Sequence, residues 1–170
     1  GAKPGDVVVL SKPLGTGLSL AGGSHADQAV AIAGMKTVNR KASELLVAAG
    51  QSVHAVTDVT GYGLAGHGWE VAQRSGVRLV IDTSSLEMYP GVLRIAENGV
   101  RTGGDPRNRE YVEGHVETMA DEARVAVCYD PQTSGGLLAS VEPDLADDLV
   151  NQGFWRVGEI EAGASGIVLA

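Results

Sequence analysis

Asp58 opens Thr57-Asp-Val-Thr-Gly-Tyr-Gly-Leu-Ala-Gly-His67, where one carboxylate precedes Gly61, Gly63 and Gly66 at G-x-G-x-x-G spacing. A carboxylate beside a phosphate repels it unless a divalent cation lies between the two. Magnesium keeps several waters and takes one or two protein carboxylates plus phosphate oxygens. Asp58, at a strand end above a helix start, is therefore a half-site for a metal–phosphate complex. Two other uses of the same residues stay open. Asp58 can cap the turn that follows it. The three glycines, with Asp82 about 20 residues on, also have the form of a dinucleotide fingerprint, which would make this an oxidoreductase domain. His67 has no Cys or His partner at zinc spacing and is expected to be a packed or exposed side chain and not a ligand.

Three further loops carry similar ingredients. In Lys12-Pro-Leu-Gly-Thr-Gly17, Gly15 and Gly17 flank Thr16 directly after an apolar run, so consecutive backbone N–H groups can converge on an anion or simply close a tight turn. In Gly103-Gly-Asp-Pro-Arg-Asn108, the Arg107 and Asn108 side chains can donate to an oxyanion. In Asp130-Pro-Gln-Thr-Ser-Gly-Gly136, Thr133, Ser134, Gly135 and Gly136 can do so by hydroxyl and backbone. The first is read more readily as a tight turn, and either of the other two could be only a turn. Cys128 lies in an apolar run and is expected to be a buried, inert thiol.

The elements that must hold these loops follow from hydrophobic patterning. Val7 to Leu10 is a short β-branched run closed by Lys12-Pro13, a buried strand. Asp27 to Ala49 places Val30, Ala33, Val38, Leu45 and Leu46 on one face and predicts the longest helix, with Gly50 at its C-terminal stop. Val53 to Val56 predicts a strand, Leu64 to Arg74 a helix, and Val77 to Ile81 a strand. Beyond Asp82 the alternation lapses. A short helix is expected over 91–97, turns over 99–109, and either helix or loop over 111–122. Val125 to Cys128 and Leu137 to Val141 predict strands, Asp144 to Val150 a helix, and Phe154 to Ile160 with Ile167 to Leu169 a closing hairpin. This order predicts an α+β fold, a mixed β-sheet packed with helices, and no six-stranded parallel Rossmann sheet.

Composition narrows the classes. The chain has 170 residues, of which 44% are apolar, enough for one domain over 1–170 with a core of its own. Its net charge of -8, without a run of Lys and Arg, argues against nucleic acid and anionic membrane surfaces as partners. No apolar run approaches the ~18 residues of a spanning helix. The lone cysteine fits a reducing, cytoplasmic setting. Gly1-Ala2 replaces an initiator methionine and a strand pattern begins within a few residues, so the chain is expected to be part of a longer one.

Taken together, Gly5-Asp6, Lys12 to Gly17, Asn39-Arg40, Thr57 to His67, Gly103-Gly104 with Arg107-Asn108, and Asp130 to Gly136 resemble the selenophosphate synthetases. The resemblance runs from about Lys3 to the C-terminus and matches the C-terminal half of such a two-domain enzyme, within the wider aminoimidazole ribonucleotide synthetase superfamily. It implies a reaction of ATP, selenide and water giving selenophosphate, AMP and phosphate, with Mg2+ and ATP as cofactors and a homodimer as the working form. It also implies that the reactive cysteine or selenocysteine, a lysine and most metal aspartates lie in an N-terminal domain, leaving no catalytic residue here. Asp58 is implied as the metal ligand this half contributes. Lys12, Gly15, Thr16, Gly17, Asn108, Thr133 and Ser134 are implied as contacts to phosphate or nucleotide. Thr102 and Asp105 depart from the family pattern, and the added carboxylate at Asp105 weighs against anion binding by its loop. The remaining possibility is a scaffold domain without a ligand of its own.

Overall fold

The computed structural model describes residues 1–170. Its strands are β1 (Val7–Leu10), β2 (Val53–Asp58), β3 (Arg78–Ile81), β4 (Val116–Thr118), β5 (Leu137–Val141), β6 (Trp155–Glu161) and β7 (Gly166–Leu169). They form one seven-stranded sheet in the order β2-β5-β1-β6-β3-β7-β4. The helices are α1 (Thr16–Gly22), α2 (His25–Lys36), α3 (Arg40–Ala49), α4 (Gly63–Ser75), α5 (Val92–Glu97), α6 (Asp105–Tyr111), α7 (Glu122–Tyr129) and α8 (Pro143–Asn151).

The unbroken Val-Val-Val-Leu of β1 reflects burial on both faces. Val8 and Leu10 join a cluster of 30 buried residues that includes Leu64 and Trp69 of α4 and Val125 and Cys128 of α7. Val7 and Val9 join a cluster of 8 with Leu46 of α3 and Leu149 of α8 on the opposite face. The fold is thus α+β, a mixed sheet packed by helices, as expected. Only β3–β7 and β4–β7 are parallel. The strand leading into G-x-G-x-x-G is β2, an edge strand paired antiparallel with β5, so the sheet lacks the parallel crevice that a dinucleotide requires. No helix is long and apolar enough to cross a membrane.

Four expectations are corrected. The long helix is two: α2 ends at Lys36, and the Thr37-Val38-Asn39 corner turns the chain into α3. The glycine loop and the turn-rich segment contain α1 and α6. Val125 to Cys128 belongs to α7, which the Asp121 side chain starts by accepting from the Arg124 amide; its five consecutive buried residues mimic a buried strand. The closing hairpin does not form either. β3 inserts between β6 and β7, antiparallel to the first and parallel to the second, so that both hydrogen-bonding edges of its backbone are paired.

Candidate functional site

β1 and β2 both run antiparallel to β5, so their C-terminal ends and the start of β5 meet at one end of the sheet. The backbone fastens the junction: Ser11 N donates to Leu137 O at 3.0 Å and Val59 N to Gly136 O at 2.9 Å. This topology gathers the Lys12, Asp58 and Asp130 loops, which lie far apart in sequence.

Once gathered, most of their polar groups bond one another. Gln132 Oε1 accepts from Gly15 N at 3.0 Å and Thr16 N at 3.2 Å. Asp130 Oδ2 accepts from Gly17 N at 3.0 Å and Leu18 N at 3.1 Å. The nest expected to take an external anion is therefore filled by the chain's own amide and carboxylate, and a Cβ on Gly17 would stand 2.5 Å from Asp130 Oδ1. Thr133 N donates to Thr16 Oγ1 at 2.9 Å. Lys12 is buried and its ammonium donates to the Thr37 and Ser134 carbonyls. Burial lowers the Lys12 pKa. Asn108 is also buried, its amide donating to Gly61 O at 2.9 Å and Tyr129 O at 2.8 Å. Lys12, Gly15, Thr16, Gly17 and Asn108 thus shape the site from within rather than presenting free donors. The hydroxyl-bearing Thr133 and Ser134 remain exposed, as does Arg107.

Burial pushes the Asp130 carboxyl up to about 6, although the Leu18 amide, the Gln132 side chain and the Gly17 amide draw it back. Asp130 and Gln132 are the site-building residues that sequence reasoning left without a role. Their partners lie more than a hundred positions away, at separations of 113 and 117, and no local pattern announces them.

Asp58 behaves differently. It is the last residue of the edge strand β2 and is exposed. It is not a helix cap, since α4 begins without any side-chain cap. The glycines beyond it serve packing. Gly63 has φ +71°, and a Cβ there would lie 2.8 Å from Cys128 O, while one on Gly66 would meet Tyr62 Cβ at 2.6 Å. Asp82, which the dinucleotide reading needs as a ribose acceptor, instead caps a single turn by accepting from Ser84 N at 2.9 Å. Of the packed and exposed alternatives for His67 the structure takes the first: it is buried, with Nε2 2.8 Å from Thr60 Oγ1. Cys128 is fully buried with its thiol pushed up to about 12 by burial, an inert group.

Beside the Asp58 loop, an open cavity of about 510 Å³ is lined by Gly61, Tyr62, Arg107, Asn108, Glu110 and Tyr111. Tyr62 and Tyr111 stack in it at 4.6 Å between centroids. The extra carboxylate at Asp105 does not confront this cavity, for it pairs with Arg109 Nε at 2.9 Å.

Asp58 supplies the oxygen chemistry that magnesium prefers, but it stands alone: no group of three or more His, Cys, Asp or Glu side chains could hold an ion by itself. It fits as one ligand of a site whose other ligands come from elsewhere.

The model for the AIR synthase related protein C-terminal domain matches residues 3–169. Selenide, water dikinase of Caldanaerobacter subterraneus subsp. tengcongensis is 41% identical over 154 residues, covering 87% of this chain and 44% of the relative. That of Pseudomonas straminea is 40% identical over 177 residues, covering 96% and 49%. Among solved structures, thiamine-monophosphate kinase from Stenotrophomonas maltophilia K279a aligns with TM-score 0.64 at 21% identity, covering 98% of this chain and 51% of that one. Hydrogenase maturation protein HypE in complex with ATP aligns with TM-score 0.60 at 16% identity, covering 98% and 47%. The chain spans about half the length of the curated relatives it matches.

Proposed function

The chain belongs to the AIR synthase related C-terminal domain family, and from this we propose that it is the C-terminal half of a selenide, water dikinase, which joins ATP, selenide and water to give selenophosphate, AMP and phosphate. The observation that carries the site assignment is the contrast between Asp58 and its surroundings. The motif loops spend most of their donors and acceptors on one another, yet Asp58 ends the edge strand exposed and caps nothing. A free carboxylate held at the end of a rigid strand suits a shared metal ligand.

In this proposal Asp58 contributes one oxygen toward magnesium, and carboxylates of an N-terminal domain contribute the rest. When bound, magnesium would neutralise charge on the ATP phosphates. Arg107 and the hydroxyls of Thr133 and Ser134 are free to donate toward phosphate oxygens. The nucleophile and most of the nucleotide contacts belong to the N-terminal domain, and the enzyme acts as a homodimer in the cytoplasm.

Full-length Asp58→Asn tests the assignment. It should lose activity by at least about 100-fold, since even residues behind a metal ligand contribute 10–100-fold. Its stability should stay within about 0.5 kcal/mol of the parent, as for other exposed substitutions. Normal turnover would reject the metal role and favour the scaffold alternative.

A further inference from the structure

At the opposite end of β1, β2 and β5 from Asp58, the first turn of the chain is tied to β2 by a cluster that the dikinase proposal does not use. Asp6 is 4% exposed and its carboxylate receives Lys3 N at 2.8 Å and the Ser140 hydroxyl. His54 Nδ1 lies 2.8 Å from Asp6 Oδ1 and 2.9 Å from Oδ2. A carboxylate can only accept, so Nδ1 carries the hydrogen and a neutral ring has its lone pair on Nε2. That lone pair faces the Lys3 ammonium, 2.8 Å from Nε2 to Nζ. Glu142 Oε1 stands 3.9 Å from the same nitrogen, and its other oxygen is held by the Ser52 hydroxyl at 2.7 Å. The His54 side chain is 8% exposed, whereas Lys3 is at the surface.

Carboxylate, imidazole and terminal nucleophile in hydrogen-bonded series form the arrangement that activates nucleophiles: the buried acid fixes the ring and the ring takes the nucleophile's proton. We propose that Asp6, His54 and Lys3 form an acid–base relay that makes Lys3 a site of acylation by small activated acyl donors such as acyl phosphates. His54 Nε2 takes one proton from the Lys3 ammonium, and the nitrogen lone pair so freed attacks the donor's carbonyl carbon. The C–N bond forms as the C–O bond to phosphate breaks, and the departing phosphate keeps that electron pair and takes the nitrogen's second proton, leaving as hydrogen phosphate. The proton on His54 passes to solvent. Acylation cancels the Lys3 charge, so the modified residue can no longer make a charged hydrogen bond to His54.

The chain supplies its own controls, because its other lysines are the exposed Lys36 and Lys41 and the buried Lys12. Incubation with acetyl phosphate, followed by site-resolved mass spectrometry, gives a rate for each. Positioned general bases contribute about 10²–10⁴-fold, so Lys3 should react at least tenfold faster than Lys36 and Lys41; a smaller ratio overturns the proposal. His54→Asn keeps an amide donor for Asp6 but removes the Nε2 base, and His54→Gln places a non-basic amide near Nε2. In both, the Lys3 rate should fall to that of Lys36 and Lys41 while those two stay unchanged. A Lys3 rate that survives either substitution also overturns it. Acylation of Lys12 reports unfolding of a variant, in which case the parent chain's ratio alone decides.

Discussion

A buried carboxylate inside a knot of loops links stability to pH. Asp130 titrates at about 6 in the folded chain against an ordinary 3.8, so between these values the native state binds the proton more tightly. The part of the stability that Asp130 controls is fullest below about pH 4, falls as pH rises through 6 and then levels, a decline on the order of 3 kcal/mol. Asp130→Asn offers the Gly17 and Leu18 amides a neutral acceptor and should lack this decline; the difference between urea melts of the two proteins from pH 4 to 7 measures it. A parent chain that gains stability over the same range would contradict the burial account. Gly63 is a second residue with a defined outcome. At φ +71° and with Cys128 O 2.8 Å from a would-be Cβ, Gly63→Ala combines a left-handed penalty of about 1–2 kcal/mol with a backbone clash. It should lower the denaturation midpoint by more than the left-handed penalty alone requires, whereas a neutral result would mean that the α4 start can move away from α7.

Among the elements, α2 is the one held most by its own termini. Only Ala31 is buried along it, and Ser24 with Asp27 closes a capping box at its start. Ser24→Ala should therefore cost about 1 kcal/mol, read as faster amide exchange over 25–30 with the sheet unchanged. Uniform acceleration across the chain would show instead that α2 unfolds only with the whole. The sequence reading begins this helix at Asp27 and misses the Ser-x-x-Asp pattern of the box, and the apolar spacing of Val30 through Leu46 ran straight across the corner at 37–39 and read as one helix. The corner is set by Asn39 donating to Gly135 O at 2.9 Å, a tertiary bond with no local signature. The same divide holds elsewhere. β1, α4 and β5 were legible because both burial and punctuation agree with their period, while α7 was not, being buried on every side. Of the site, Asp58 and the converging loops could be read from residue types and order. What could not be read was that Asp130 and Gln132 would take the Gly15–Leu18 amides, since that depends on β1 and β5 lying side by side.

For the whole molecule, if Asp58 is the half-site proposed above, the 170-residue chain should make no selenophosphate and hydrolyse ATP only at background. Phosphoryl transfer depends on positioning the nucleotide and stabilising its charge, and one carboxylate with a few hydroxyls does neither. Phosphorus NMR of the purified chain with Mg-ATP and selenide checks this; appreciable turnover would require a nucleophile or base within these residues. The placement of β1 carries another consequence, for the time course of synthesis. This interior strand is made at residues 7–10, but its two neighbours are residues 137–141 and 155–161. At about 5–20 residues per second, the Val-Val-Val-Leu segment leaves the ribosome roughly 10–30 s before its second flanking strand exists. Through that interval it is an unpaired, wholly apolar strand, the kind of segment that aggregates or recruits a chaperone. The nascent domain therefore carries β1 uncovered through most of its own synthesis and covers it only once β5 and β6 have emerged.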